Sequence, residues 1–194
     1  MRCIGLFTQN NKDRAGQTRP VVSRFTVWET AAYPMLGAIM FCSKKLMEFL
    51  PNIHLLGMLI MTCTVVFRKK ALIPLYIYVF LDGLYGGFGT WWLPYLYIWT
   101  VLWMMTMLLP RNMPDRIAGI VYPVVCCLHG LAFGTLYAPV QAIVMGMSFK
   151  ATLAWIVAGL PWDALHGAGN FAAGLLILPL SKLVRKLAAG KTKL

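Results

Sequence analysis

LPWDALHGAGNFAAGLLILPL occupies residues 160–180. Nearly all of it is apolar, as a helix bound for lipid requires. Yet Asp163, His166 and Asn170 interrupt its first half at spacings of three and four residues, which a helix places on one face. Ionisable groups inside a bilayer are costly unless they pair or line a cavity. The stretch therefore reads as a membrane helix starting at Pro161, with a polar face at its outer end. His166 and Asn170 point to a pocket open to the exterior. Asp163, in the first turn of such a helix, either caps free N–H groups or meets a ligand.

The rest of the chain supports a membrane setting. Of 194 residues, 59% are hydrophobic and 12% charged, and mean hydropathy is +0.68. Such a balance belongs to polytopic membrane proteins rather than soluble domains. Allowing about 20 residues per span leaves room for about six. The net charge of +12 lies in short clusters between apolar runs, the pattern of topology signals and not of a nucleic-acid surface. The five cysteines, Cys3, Cys42, Cys63, Cys126 and Cys127, form no CxxC pair and read as free thiols packed in apolar surroundings. No metal or cofactor motif is present.

Apolar runs at 25–50, 53–67, 71–85, 91–109, 117–137 and 161–182 predict an all-α fold of six transmembrane helices. Pro51-Asn52, Arg68-Lys69-Lys70, the glycines at 86–89 and the prolines of PRNMPDR separate the first five. The uncharged stretch 117–149 is too long for one span, and Ala138-Pro139 is its expected break. Residues 140–158 then form a surface or re-entrant segment, or a further span. With the N-terminus in the cytoplasm, six crossings place all but Lys44, Lys45 and Lys150 of the 18 basic residues inside. Both termini are then cytoplasmic. Residues 1–24 form a basic tail, least ordered over 9–20. The membrane domain covers 25–183, and 184–194 is a second basic tail.

Three groups of residues bear on function. The first is the polar face just described, on a helix whose Ala164, Ala168 and Ala172 and whose His166, Asn170 and Gly174 fall at four-residue spacing, a pattern of close helix packing. The second is TWWLPYLYIW, 90–99. Trp and Tyr mark a membrane interface, but Trp92, Tyr95, Trp99 and Trp103 also recur at helical spacing and form a stacking wall for a flat heterocycle. The third is EFLPNIHLLG, 48–57, with Asn52 and His54 and with Lys44 and Lys45 a turn earlier. These lysines snorkel to the surface or neutralise an anion, Glu48 or a ligand. No GxSxG or HExxH occurs, and the GKT at 190–192 lacks the earlier glycine of a phosphate-binding loop, Arg185 standing there.

A basic N-terminal stretch, six short spans, an outward pocket and no ATPase motif resemble the substrate-binding S components of energy-coupling factor (ECF) vitamin transporters. GLPWDALHGAGNFAAGLLILPLSKLVRKL and MEFLPNIHLLGM carry the likeness, which covers roughly 27–187. The resemblance implies a protein of the bacterial plasma membrane with no enzymatic activity and no cofactor of its own. It would capture a vitamin-like ligand from outside and deliver it inward by toppling. Its partners would be a transmembrane scaffold subunit and two cytoplasmic ATPases. Family positions for the pocket hold Trp92, Tyr95, Trp99, Tyr137, Gln141, Trp162, Asp163, His166 and Asn170, with Asn52 and His54 from the first outer loop. The family docks its scaffold on alanines spaced by four in the first helix. Pro34, Ala38 and Cys42 stand at that spacing here, two of the three differing from alanine.

Three other functions compete. A non-transporting membrane scaffold would have no evident use for a polar, aromatic outer pocket. A self-sufficient secondary transporter would show internal repeats and midplane ion sites. An intramembrane enzyme would bring together at least two of His54, His129, Asp163 and His166.

Overall fold

The computed structural model describes residues 3–12 and 18–191, and the side-chain surroundings of 26–189. The chain is all-α apart from an N-terminal hairpin. Strands β1 (Cys3–Lys12) and β2 (Thr18–Phe25) pair antiparallel, Ile4 opposite Arg24 and Lys12 opposite Thr18, with an irregularity between Gly5 and Gln9. The stretch read from composition as irregular is thus paired over Gln9–Lys12 and Thr18–Pro20; residues 13–17 lie outside the described residues.

Helix α1 (Val27–Leu46) begins at a reciprocal cap. Thr26 Oγ1 accepts the Glu29 N–H at 3.2 Å and Glu29 accepts the Thr26 N–H at 3.0 Å. A turn-rich segment leads to α2 (Leu56–Phe67), a short 3-10 turn follows at Arg68–Ala71, and α3 (Leu72–Gly86) returns. α2 is buried on nearly every side. At twelve residues it extends only about 18 Å, short of a bilayer's apolar thickness. α3 stops at Gly87, whose φ of 81° suits a residue without a Cβ. Residues 91–94 form turns, so α4 covers Tyr95–Leu108 and not the whole expected run from 91.

The last third departs most from expectation. α5 (Asp115–Leu131) and α6 (Phe133–Met145) make one long rod interrupted at Ala132, and Pro139, expected to be the break, lies inside α6. The rod ends at Gly146, φ 61°, where the Met147 N–H reaches back to the Ala142 carbonyl at 2.9 Å. Ser148 at once caps the next helix by accepting the Ala151 N–H at 3.3 Å. α7 therefore runs Phe149–Gly174 with Pro161 in its interior. Residues 140–158 are not a separate surface or re-entrant segment: they divide between α6 and the first half of α7. Pro161 does not start a helix, and Asp163 is not in a first turn. α8 (Ile177–Lys191) continues from α7 through a 47° bend. Pro179, lacking an N–H for the carbonyl a turn earlier, accounts for the kink.

Among the described residues the eight α segments thus compose six rods: α1, α2, α3, α4, α5–α6 and α7–α8. The Asp115–Met145 rod is long and apolar enough to cross a membrane, and the bent α7–α8 pair adds a second such unit. Large apolar side chains stand on the outside, among them Phe49, Leu108, Ile143 and Phe149, while Leu56, Met61, Leu75, Trp99 and Leu102 fill the interior. The chain's charges gather at the rod ends. Glu29 holds Lys70 at 2.6 Å, Asp115 holds Lys182 at 2.5 Å, and Arg68 donates to the Met107 carbonyl at 2.7 Å, all at what we call the basic end.

α5 and α7 share the most extensive contact between helices among the described residues. The alanines at 164, 168 and 172 are exposed; the packed row is His166, Gly167, Asn170, Ala173 and Gly174. A Cβ on Gly174 would lie 2.7 Å from Pro123 Cα, and one on Gly130 would lie 2.9 Å from Gly167 Cα. These are backbone atoms and cannot yield as a flexible side chain does. Gly174→Ala is expected to destabilise the protein by about 1–2 kcal/mol, measured by thermal unfolding in detergent.

Candidate functional site

The end opposite the basic one holds the site. The Met47–Leu55 segment crosses it in turns, aided by Asn52 in a left-handed conformation, φ 56°, which asparagine tolerates. The Asn52 amide donates to the Trp162 carbonyl at 3.3 Å, tying the segment to α7. Beneath it is a cavity of about 160 Å³. Asn52 and His54 from the segment, Lys44 and Glu48 from the end of α1 and just beyond it, Tyr95 from α4, Phe133 from α6 and His166 from α7 line it. Its size matches the roughly 150 Å³ that accommodates a benzene ring in an engineered protein cavity.

All three histidines of the chain meet around Trp99 and Phe133. The His54 and His166 rings are 4.9 Å apart and nearly perpendicular. Phe133 lies 4.8 Å from His166 and 5.6 Å from Trp99, and Trp99 lies 5.7 Å from His129. His129 Nε2 donates to the Ile98 carbonyl at 3.0 Å, so it has a structural partner. His166 is 1% exposed, and neither ring nitrogen meets a hydrogen-bond partner among the described residues. His54 Nδ1, His129 Nδ1, Trp99 Nε1 and both polar atoms of the Asn170 amide share that condition. Buried polar atoms are almost always paired, so these mark a place built for polar contact. A neutral imidazole offers one donor and one acceptor. The pair His54–His166 can therefore serve a ligand edge that carries both. No group of three or more His, Cys, Asp or Glu among the described residues is arranged to hold a metal ion.

Lys44 gives the cavity its charge. Its ammonium binds Asp82 Oδ2 at 2.6 Å, lies 3.4 Å from the Tyr95 hydroxyl and sits 4.5 Å from the Tyr95 ring centre. Lys45 stands 3.6 Å from the other Asp82 oxygen and 3.2 Å from Glu48. Two lysines and two carboxylates leave the site balanced. Neither lysine simply snorkels outward. Asp82, wholly buried in α3, was not among the sequence candidates. Its signal was a lone acid in the apolar run LIPLYIYVFLDGLYG.

The other expected site residues divide. Asn52, His54, Tyr95 and His166 line the cavity, and Trp99 lies against it, 5.9 Å from His54 and 5.8 Å from Tyr95. Trp92 is turned away, donating to the Val79 carbonyl at 2.8 Å. The Tyr137 hydroxyl donates to the Trp91 carbonyl at 3.0 Å and its ring stacks on Trp155. Gln141 is outside the lining, and the Trp162 side chain is half exposed on the outer surface. Asn170 is buried between Gly57 of α2 and Gly130 of α5, where a Cβ on either glycine would crowd its amide. Asp163 faces the α5–α6 junction and takes the Gly134 N–H on both oxygens, at 3.0 and 3.2 Å. That bond diverts the N–H from the helix ladder and accounts for the interruption at Ala132. Asp163→Asn keeps an acceptor but loses the charge, so about 1 kcal/mol of stability is expected to go with little change in ligand affinity, read by thermal unfolding beside a binding titration.

On α1, Pro34 and Cys42 face outward and Ala38 is half-buried. Beside them an apolar groove of about 530 Å³ separates α1 from α8, lined by Trp28, Met35, Ile39 and Leu187. Of the cysteines, Cys63 and Cys126 are buried thiols and Cys42 is exposed. No protein-family model, curated protein or solved structure is similar to this chain.

Proposed function

We propose that the chain is the substrate-binding S component of an ECF-type importer, lying in the bacterial plasma membrane with its basic end in the cytoplasm and its cavity facing outward. The observation that carries the reading is the His54–His166 pair, with His54 Nδ1 and both His166 nitrogens unpartnered among the described residues, lining with Lys44 and Tyr95 the cavity beneath the Met47–Leu55 segment. The ligand is a small flat heterocycle, vitamin-like in character. It stacks among Tyr95, Phe133 and Trp99, and its polar edge meets the two imidazoles. Balanced charge around Lys44 and Asp82 favours recognition by hydrogen bonds and stacking over a net ionic attraction.

Orientation follows from the basic residues. Arg68, Lys69, Lys70, Arg111, Arg116, Lys182, Arg185 and Lys186 belong to the end that the positive-inside rule assigns to the cytoplasm. The wholly helical membrane region offers no ATPase, so the energy comes from a scaffold subunit and two ATPases. The outward stripe Pro34, Ala38 and Cys42 meets the scaffold. The test is affinity purification of the tagged full chain from membranes of its native host. ATPase subunits and an integral-membrane scaffold are expected in the eluate. Ligand uptake that persists without ATP would replace this reading with a secondary transporter.

The approach of His54 to His166 satisfies one requirement of an intramembrane enzyme. Such an enzyme would turn over a bound molecule in the isolated chain. The S-component reading predicts that the ligand is released chemically unchanged.

A further inference from the structure

The basic end carries a second cavity, of about 120 Å³, between the end of α2, the α4–α5 turn, the start of α5 and α8. Arg111, Asp115, Ser181, Lys182 and Arg185 line it, with Val65 at its wall. Three cations thus face one carboxylate. Asp115 is already held by Lys182 at 2.5 Å, and one Arg185 nitrogen donates to the Val65 carbonyl at 3.1 Å. Arg111 has no such tie among its described contacts. The floor is Ser181, 2% exposed, whose hydroxyl meets no partner among the described residues. A helical serine can bond back to the carbonyl one turn earlier; this hydroxyl makes no such bond among the described residues, and Ser181 lines the cavity. The first turn of α5 opens on the same space without a side-chain cap, and a helix start favours anions. The volume is several times what one water needs.

We infer that this cavity binds a phosphate group, with Arg111 and Arg185 supplying charge and the Ser181 hydroxyl a buried donor. Basic pockets between helices at the cytoplasmic leaflet are suited to lipid headgroups. A free inorganic phosphate presents the same chemistry. The lipid source rests on the membrane orientation proposed above, whereas the phosphate chemistry does not.

The test is native mass spectrometry of the detergent-purified full chain. It is titrated in separate arms with phosphatidylglycerol, phosphatidylcholine and inorganic phosphate. Wild type is compared with Arg111→Gln, Ser181→Ala and Lys186→Gln. Lys186 is exposed on α8 and does not line the cavity. Expected is a bound phosphatidylglycerol retained in preference to phosphatidylcholine, weakened about fivefold by Arg111→Gln, weakened by Ser181→Ala, and unchanged by Lys186→Gln. Binding of inorganic phosphate alone, with the same variant pattern, supports the site and assigns its anion to the aqueous phase. The proposal is overturned if Lys186→Gln lowers retention as much as Arg111→Gln, which is general surface charge, or if neither probe distinguishes Arg111→Gln from wild type. Arg111 is exposed, so its variant folds without leaving a buried gap and remains informative if Ser181→Ala does not.

Discussion

Asp82→Ala is expected to destabilise the protein by about 3–5 kcal/mol. Asp82 is fully buried and binds Lys44 at 2.6 Å, with Lys45 at 3.6 Å from its second oxygen. Removing the carboxylate leaves two ammonium groups in the last turn of α1 with only Glu48 to balance them. The loss is the cost of an uncompensated charge and not the net worth of the pair, since exchanging a buried ion pair for apolar residues is often neutral. The double change Lys44→Met with Asp82→Leu is therefore expected to recover most of the loss. Thermal unfolding in detergent measures both. A single variant as stable as wild type would show that the pair does not hold α1 to α3. Ligand affinity in the double variant separates roles: if Lys44 also meets the ligand, binding stays weak after stability returns.

His54→Ala and His166→Ala are each expected to weaken ligand binding by about 1–3 kcal/mol, roughly fivefold to 150-fold, with a smaller effect on stability. His54 Nδ1 and both His166 nitrogens have no hydrogen-bond partner among the described residues, so removing the His166 ring costs the folded state no hydrogen bond. A ligand edge bonded to them loses its partners. Asn170→Ala provides the contrast. That amide is also without a hydrogen-bond partner among the described residues, but it is wedged between Gly57 and Gly130, away from the cavity lining, so its removal acts on packing between α2, α5 and α7. Affinity is read by isothermal titration with the ligand once identified, and stability by unfolding. Equal effects of the three variants on affinity would remove the distinction.

The first four apolar rods were legible in the sequence because each is bounded by residues that stop helices or stay in water. The glycines at 86–89 and the basic triplet at 68–70 did so unaided. The short α2 was legible too. The last two rods were not, for reasons that lie outside local sequence. Pro161 and Pro139 look like a start and a break, but prolines inside apolar helices are tolerated. The actual interruption at Ala132 depends on Asp163, 29 residues from Gly134, taking that residue's N–H. Ser148 was the readable start of α7, and its capping role competed with the stronger local signal of Pro161.

The site shows the same division. Asp163, His166 and Asn170 share the inward face of α7 as their spacing implied, and all three are buried. Their three surroundings differ because each meets another helix: the α5–α6 junction, the cavity, and the α2–α5 seam. Spacing on one helix fixes a face and says nothing of what stands opposite. Lys44 and Asp82 are 38 residues apart, and only the packing of α1 on α3 joins them.

The central claim is that the His54–His166 cavity holds a small heterocycle. The most direct measurement is mass spectrometric identification of any small molecule released on denaturing the freshly purified full chain, beside the same preparation of His166→Ala. A single heterocyclic compound near one copy per protein, lost from the variant, is the predicted result. A wild-type protein that releases nothing, or a variant that releases the same compound in the same amount, would contradict it.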